Sequence, residues 1–314
     1  MNYSIFIAPT TGDLYTNMDN IGAAPDSQLL LREMEDLLRA HVILRTPPYV
    51  LVVCNLHNRP ALRQELGRQR EITFRLVGES TGNPIDIDSF DDYYEQLIIW
   101  DAVAGKLVGG YRFGCGDKIF NLFGREGFYI HSFFEFNSAF DLYLPNCLEL
   151  GRSFIIKEYQ KKSLPLYLLW KGILAYQIKH PQYQYLIGPV SISRYYSDFS
   201  RKVLMEYAMK HFMHQQFSAW FRPRIPFDPI LNLSQQKELE SIPDIAALRL
   251  EDIIDQIRPE HIEFPILMKQ YIRQNARFLG FNLDPSFNNA LDGLMILDMA
   301  DIPDQTVELL QREM

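Results

Sequence analysis

Apolar runs separated by Gly, Pro and Asn divide the chain into an alternating series of helices and strands. After Asp26, which can cap a helix, Leu30, Met34, Leu37, Leu38 and Val42 recur at helical spacing. They predict a helix through LLLREMEDLLRAHVIL that Thr46-Pro47-Pro48 brings to an end. YVLVVCN (49–55) is a β-branched run of strand length, and the charged RPALRQELGRQREITFRLVG after it reads as an amphipathic helix. EQLIIWD (95–101) and KLVGGYRFG (106–114) predict a hairpin that turns at Ala104-Gly105. LELGRSFI (148–155) is a further strand. It is followed by a helix over about 164–179, the strand YLIGPVSI (185–192) and a helix over about 195–211. Pro-rich RPRIPFDP (222–229) marks a surface crossing, and the tail adds a helix near 264–279 and the strand GLMILDM (293–299).

This alternation predicts an α/β sheet whose ligands sit at strand ends. Residues 1–25 read as a loosely structured arm. With no internal repeat or low-complexity tract, the simplest division is an N-terminal arm and helix (1–48) followed by one domain (49–314).

Composition narrows the class. The 314 residues are 47% hydrophobic and 22% charged, ordinary for a globular chain, and the net charge of -8 argues against a generally basic nucleic-acid binder. The N-terminus lacks a basic region followed by an apolar stretch of signal length, and the longest apolar run, 164–170, is too short to span a bilayer. A cytoplasmic protein is expected. Three cysteines, Cys54, Cys115 and Cys147, are widely spaced and read as buried apolar filler, not as a disulfide framework or a thiolate metal site.

Candidate chemistry lies with charges inside apolar segments. Glu149 and Arg152 are set in the strand LELGRSFI, where two residues three apart point to opposite faces unless a bulge intervenes. Gly151 offers such a bulge, and bulges recur beside active sites. Arg70 and Arg75 lie in REITFR, Asp86, Asp88 and Asp91 in IDIDSFD, and Arg112 in the apolar VGGYRF. Buried charges need partners, so these residues are expected to form one network. On the strand pattern alone a structural ion pair and an active site both remain open.

Other features are less specific. Backbone N–H groups at the start of the helix after EYQKKSLP could hold a pyrophosphate, but Ser163 and Pro165 stand where a phosphate loop usually has glycine. Nine aromatics between Phe120 and Tyr143 fit either a core or the wall of an acyl pocket, with peripheral contact to the inner membrane as a variant of the second reading. His211 and His214 read as surface helix residues, so no metal site is assigned. GPVSIS (188–193) matches the nucleophilic-serine motif only loosely and lies on a strand.

Taken in order, the segments LGRQREITFRLVGESTGNPIDIDSFDDYYEQLIIWD, LVGGYRF, LELGRSFI, LLWKGI, YLIGPVSIS and FPILMKQYIRQNARFLGFNLDPSFNNALDGLMILD resemble the GNAT-superfamily N-acyltransferases often labelled hemolysins, which are related to ornithine- and glycine-lipid synthesis. The matches spread from residue 66 to near the C-terminus. The resemblance implies a mixed, mostly antiparallel central sheet flanked by helices, with an N-terminal helical arm and a C-terminal extension.

This family is similar to the acyl-homoserine-lactone synthases. By that resemblance Arg70 and Phe74, Asp88 and Asp91, Arg112, and the pair Glu149 and Arg152 occupy the places of the active-site cluster. It further implies transfer of a fatty or 3-hydroxy fatty acyl group from an acyl carrier protein thioester to the amine of an amino acid, for an aminolipid. No cofactor is bound permanently; acyl carrier protein or coenzyme A delivers the donor. Glu149 would be the base, Arg152 and Arg112 would orient carboxylates, and backbone N–H at the splayed end of 148–155 would stabilise the oxyanion. Tyr195 would serve the leaving thiolate, and Ser191 and Ser193 would join the substrate-binding set. The donor side would use Lys157, Gln160, Lys161, Lys162 and Ser163, with Arg201 and Lys202 adding to a basic patch for the acidic carrier. Two alternatives stand beside this reading: a signal synthase that acylates another amine, and a non-enzymatic lipid-binding or membrane-active protein.

Overall fold

The computed structural model describes residues 18–241, 264–303 and 306, so most of the arm expected over 1–25 lies outside the described residues. Helix α1 runs Ser27–Ala40, and the Asp26 carboxylate accepts the Leu29 N–H at 2.8 Å as its cap. It stops short of the predicted end. Val42–Thr46 instead forms β1, which turns at Pro47-Pro48 and pairs antiparallel with β2, Tyr49–Cys54, setting Val42 opposite Val52 and Thr46 opposite Tyr49. The β-branched Val42 finds a strand partner here, with Ile43 the extra residue of a bulge before Leu44, and that tertiary pairing overrides the helical spacing.

The next elements are α2 (Pro60–Leu76), β3 (Glu95–Asp101), β4 (Lys106–Cys115), α3 (Gly116–Phe123), β5 (Phe134–Phe136) and β6 (Cys147–Ile155). After them come α4 (Ser163–Lys179), β7 (Tyr185–Ile192), α5 (Asp198–His211), β8 (Phe221–Pro223) and α6 (Leu233–Ser241). The tail contributes α7 (Ile266–Arg273), β9 (Arg277–Asp284) and β10 (Ala290–Asp298). The tail helix is thus shorter than its apolar pattern suggests. Asn275, at φ 69°, turns the chain out of the helix, and the residues from Arg277 onward pair with β10.

Eight strands form one sheet in the order β1-β2-β3-β4-β6-β7-β10-β9. Every neighbouring pair is antiparallel except β6 and β7, and β5 pairs separately with β8. The fold is the mixed, mostly antiparallel sheet flanked by helices that the resemblance implied. Adjacent residues of one strand show which helix covers which face. Arg70 of α2 bonds Gln96, while a Cβ on Gly172 of α4 would touch Leu97, so α2 and α4 lie on opposite faces.

The aromatic run packs as core. Phe128, Phe133, Phe134, Phe136 and Phe140 are buried with Phe217 and Phe221 in a cluster that also takes Ile187, Leu294 and Ile296 from the sheet. The three cysteines are buried and unbridged, and burial pushes the Cys54 thiol up to about 12. Among the described residues no helix is long and apolar enough to cross a membrane.

Among the described residues the one parallel strand pair of the sheet is also its shortest strand contact. Strand β6 meets β7 from Cys147 to Glu149 against Tyr185 to Ile187, and then the two part. At the parting point Gly188 lies so close to β6 that an added Cβ would stand 2.1 Å from the Leu150 carbonyl oxygen. Gly188→Ala must therefore push the strands apart, and we expect a loss of about 1–3 kcal/mol in stability, measured by chemical denaturation. Unchanged stability would show that the strands are not held at this spacing.

Candidate active site

Strand β6 carries the bulge that its glycine suggested, one residue later than expected. Gly151 pairs with Arg112 and Phe154 with Gly110, so Arg152 and Ser153 together oppose Tyr111. The left-handed conformation falls on Arg152, at φ 52°, where a non-glycine residue is strained. The extra residue corrects the alternation, and Glu149 and Arg152 come to the same face as α2.

On that face three guanidinium groups are buried against one acidic loop. Arg70 of α2 is 0% exposed and Arg112 of β4 is 1% exposed. Arg70 donates to Asp91 Oδ1 at 2.8 Å and to Gln96 Oε1 at 2.5 Å. Arg112 Nη1 donates to Asp88 Oδ1 at 2.6 Å and to Asp91 Oδ2 at 3.3 Å. Arg152 meets Asp86 at 3.0 Å, Asp88 at 3.4 Å and the Tyr129 hydroxyl at 3.0 Å.

The spacing of the two aspartates has a local cause. Asp88 and Asp91 are the ends of a capping box around a short helical turn, in which Asp88 accepts the Phe90 N–H and Asp91 accepts the Asp88 N–H. Each carboxylate thereby orders its own loop and still faces an arginine. Burial alone would push Asp91 up, but Arg70 and Arg112 outweigh it and hold the group well below the usual carboxylate range.

Glu149 is bound differently. It is 1% exposed and none of its bonds is to a cation: the Tyr94 hydroxyl donates at 2.5 Å, Ile130 N–H at 2.8 Å and Tyr129 N–H at 3.2 Å. Burial raises its pKa to about 7, against the lowering effect of these donors. The expected mutual network reaches Glu149 without a direct ion pair, in part through Tyr129, whose backbone holds Glu149 and whose hydroxyl holds Arg152. Arg112 completes the group from above, with its guanidinium carbon 5.3 Å from the Tyr94 ring centroid and 5.0 Å from that of Tyr129. Phe74 lies against Phe287 at 5.2 Å, and Phe287 in turn faces Arg152.

Not every predicted residue joins this cluster. Arg75 pairs instead with Glu71 and bonds the carbonyls of Asp19 and Asn83, tying the loop after α2 to the helix. Ser193 donates to the Val77 carbonyl and accepts the Tyr195 N–H, while the Tyr195 ring packs over Gly78. Ser191 donates to Asp292 at 2.6 Å. Asp292 is a buried acid that the pattern of the tail did not single out; burial and the facing Asp284 raise it to about 7, and the same Asp292 together with burial raises Glu79.

Of the residues expected to serve the donor, Lys157, Gln160, Lys161 and Lys162 form the turn between β6 and α4, and Ser163 begins the helix. Gln160 turns inward to the Ile155 carbonyl, and Lys162 lies over the Tyr159 ring. Arg201 is no part of an exposed patch: it is buried beside Phe227 and paired with Asp198, while Lys202 pairs with Glu206. His214 has left α5, and its Nδ1 accepts the backbone N–H of Gln216 and Phe217.

Tyr94, Tyr129 and Gln96 are the site residues that sequence reasoning missed. Gln96 carried a signal, an amide inside an otherwise apolar strand. The two tyrosines carried none, since each is one ring among many in aromatic-rich segments.

Removing Asp91 leaves Arg70 and Arg112 buried without their shared carboxylate. Asp91→Ala is expected to cost about 3–5 kcal/mol in denaturant unfolding, against less than about 1 kcal/mol for the exposed Asp36→Ala. Equal losses in the two variants would remove the network as the organiser of this face.

A GNAT acetyltransferase domain model matches residues 69–170, from α2 into α4. The chain is 30% identical over 236 residues to a glycine N(alpha)-acyltransferase of Bacteroides thetaiotaomicron, covering 72% of this chain and 68% of that one. It is 32% identical over 206 residues to a glycine N(alpha)-acyltransferase of Phocaeicola vulgatus, covering 62% and 63%. It thus spans about two thirds of the length of these relatives. Among solved structures it is similar to the CoA-dependent acyl-homoserine lactone synthase BjaI, with a TM-score of 0.39, 12% identity, and 83% and 86% of the two chains covered. For the synthase LasI the TM-score is 0.33 at 19% identity, with 46% and 72% covered. On the strength of the extended match to its sequence relatives, the chain belongs to the GNAT-superfamily N-acyltransferases that include the glycine N(alpha)-acyltransferases.

Proposed function

We propose that this acyltransferase moves a fatty or 3-hydroxy fatty acyl group from a carrier-protein thioester to the amine of an amino acid, and that the acceptor is glycine, the amino acid in the names of its relatives. The observation that carries the reading is the bulged β6 strand. It sets a buried carboxylate with a near-neutral pKa beside fixed guanidinium groups, next to the place where β6 and β7 part.

The amine nitrogen attacks the thioester carbon, forming the C–N bond. The C–S bond then breaks, the nitrogen gives up a proton, and the thiolate takes one. Glu149 receives the amine's proton, directly or through a water, because burial raises its carboxyl to about 7 and leaves its proton exchangeable near neutral pH. Backbone N–H groups of β6 beyond Glu149, where β7 no longer accompanies the strand, stabilise the tetrahedral oxyanion. Arg152 and Arg112 hold the acidic loop and orient the acceptor's carboxylate, with Arg70, Phe74, Asp88 and Asp91 shaping the acceptor side and Ser191 and Ser193 bordering it.

For the leaving thiolate two hydroxyls are candidates. Tyr195 follows the end of β7, and Tyr111 lies in the wall of the opening, bonded to the Tyr271 hydroxyl at 2.9 Å. Lys157, Gln160, Lys161, Lys162 and Ser163 border the route that a pantetheine arm would take, and the exposed lysines of this turn suit an acidic carrier protein. The product, an acylated amino acid, fits an aminolipid made at the cytoplasmic face of the inner membrane.

Incubation of the purified protein with acyl carrier protein or coenzyme A thioesters and glycine should release thiol and yield an amide of the expected mass. Glu149→Gln should lose activity by roughly 100-fold or more while staying folded. Full activity in that variant would remove Glu149 as the base. Thiol release without amide would overturn the acceptor.

The acid limb of kcat/KM should lie near pH 7, rising as Glu149 loses its proton, and should persist in Asp292→Asn. A limb that disappears with Asp292 would transfer the titration to that residue.

A further inference from the structure

In the register of β4 and β6, Glu149 stands opposite Gly114, and the place a side chain would take there is filled by the ring of Tyr94. A Cβ on Gly114 would lie 2.5 Å from that ring, so the bare position on β4 is what lets Tyr94 reach the carboxylate. The ring is 2% exposed, stands edge-on to Phe90 with centroids 5.7 Å apart, and lies under the Arg112 guanidinium. Its backbone is fixed as well. Tyr94 follows the turn capped by Asp88 and Asp91, and its N–H donates to the Phe90 carbonyl at 2.9 Å. The loop that the arginines hold therefore also aims this hydroxyl at Glu149.

The hydroxyl has two acceptors within reach and one hydrogen to give. It donates to Glu149 Oε2 at 2.5 Å, with the Gly127 carbonyl oxygen at 3.5 Å as the second acceptor, and it accepts the Tyr129 N–H at 3.0 Å. An ionised Glu149 draws the hydrogen, because a bond to an anion is the stronger of the two. A protonated and neutral Glu149 draws it less, and the Gly127 carbonyl, which also takes the Tyr93 hydroxyl at 2.8 Å, then competes for it with its second lone pair. Burial and the facing Glu149 raise the Tyr94 phenol well above its ordinary range, so Tyr94 itself stays protonated.

We propose that Tyr94 is the positioning residue of the proton-accepting step: its hydroxyl holds Glu149 ionised and oriented before the amine arrives, and turns towards the Gly127 carbonyl once the amine's proton has been taken. The inference rests on the reading of Glu149 as the base. In the step an N–H bond of the acceptor breaks and an O–H bond forms on Glu149, while Tyr94 changes only the direction of its own O–H. The groups that act on Glu149 are Arg112 from β4, Tyr93 and Tyr94 from the segment before β3, Tyr129 from the loop that covers it and Cys147 from its own strand; its neighbour on β7, Ile187, is apolar. Arg112 is the charged member of this set and makes no hydrogen bond to Glu149. A donor to the ionised form favours that form, so loss of the Tyr94 hydroxyl must move the ionisation of Glu149 to higher pH.

The test follows Glu149 in two ways: by NMR of protein isotope-labelled at the glutamate side-chain carboxyl carbon, with the signal assigned by its loss in Glu149→Gln, and by the acid limb of kcat/KM for amide formation with glycine. Tyr94→Phe, which keeps the ring, should move both upward by about one pH unit, so that activity below the limb falls about tenfold and returns as the pH rises. Replacement of Tyr94 by 3-fluorotyrosine, a stronger donor of nearly the same size, should move both downward, which guards against a folding defect in the first variant. Tyr183→Phe removes another buried hydroxyl, one bonded to Asp117, and should move neither. A Glu149 titration unchanged in both Tyr94 variants would overturn the assignment. A titration that moves while the rate profile stays in place would keep Tyr94 as the partner of Glu149 and sink Glu149 as the base, so the two failures are distinguishable.

Discussion

Three buried guanidinium groups decide the course of the chain on one face of the sheet. Arg70, Arg112 and Arg152 come from a helix and two strands, the first two fully buried and the third with its side chain 10% exposed, so carboxylates must be brought to them. The segment from Asp86 to Asp91 does this. Because Asp88 and Asp91 also cap their own turn, the loop that supplies the charge is held in shape by the same groups. Ordering and neutralisation are thus one event.

The second constraint is topological. A single parallel pair inside an otherwise antiparallel sheet leaves β6 and β7 free to part, since a crossover through α4 separates them and β7 finds its other partner in β10. The parting opens a gap with the arginine-bound loop on one face and an apolar space under α4 and α7 on the other. The proposed reaction, between a polar acceptor and a donor with an apolar tail, would be served by such a division.

Much of this was legible in the sequence. The strands 49–54, 95–101, 147–155 and 185–192 lie close to where their apolar runs place them, because each is bounded by turn residues. Gly151 marked the bulge, although the strain sits on Arg152, since the position of the positive φ depends on where the Asp86 and Asp88 carboxylates pull the side chain. Helical spacing misled at Val42 and again near Arg277, where apolar residues that fit one face of a helix equally fit the edge of a sheet. The role of Tyr129 was not legible at all. Its backbone N–H matters as much as its hydroxyl, and no side-chain pattern encodes that.

The two buried acids of this face, Asp91 and Glu149, show how one fold assigns different tasks to the same functional group. Both are almost fully enclosed, and burial acts on both in the same direction. Asp91 lies between two arginines, so its charge is held permanently and it has no proton to exchange near neutral pH. Glu149 takes its hydrogen bonds from neutral donors, with Arg112 acting on it only from a distance. Those donors stabilise the anion enough to keep it accessible, yet not enough to cancel desolvation, and the group is left balanced near pH 7. A carboxylate fixed by cations builds the wall, and one fixed by hydroxyl and amide hydrogens keeps its proton exchangeable. The separation of their environments, more than the presence of either residue, is what singles out Glu149 as the base of the proposed reaction.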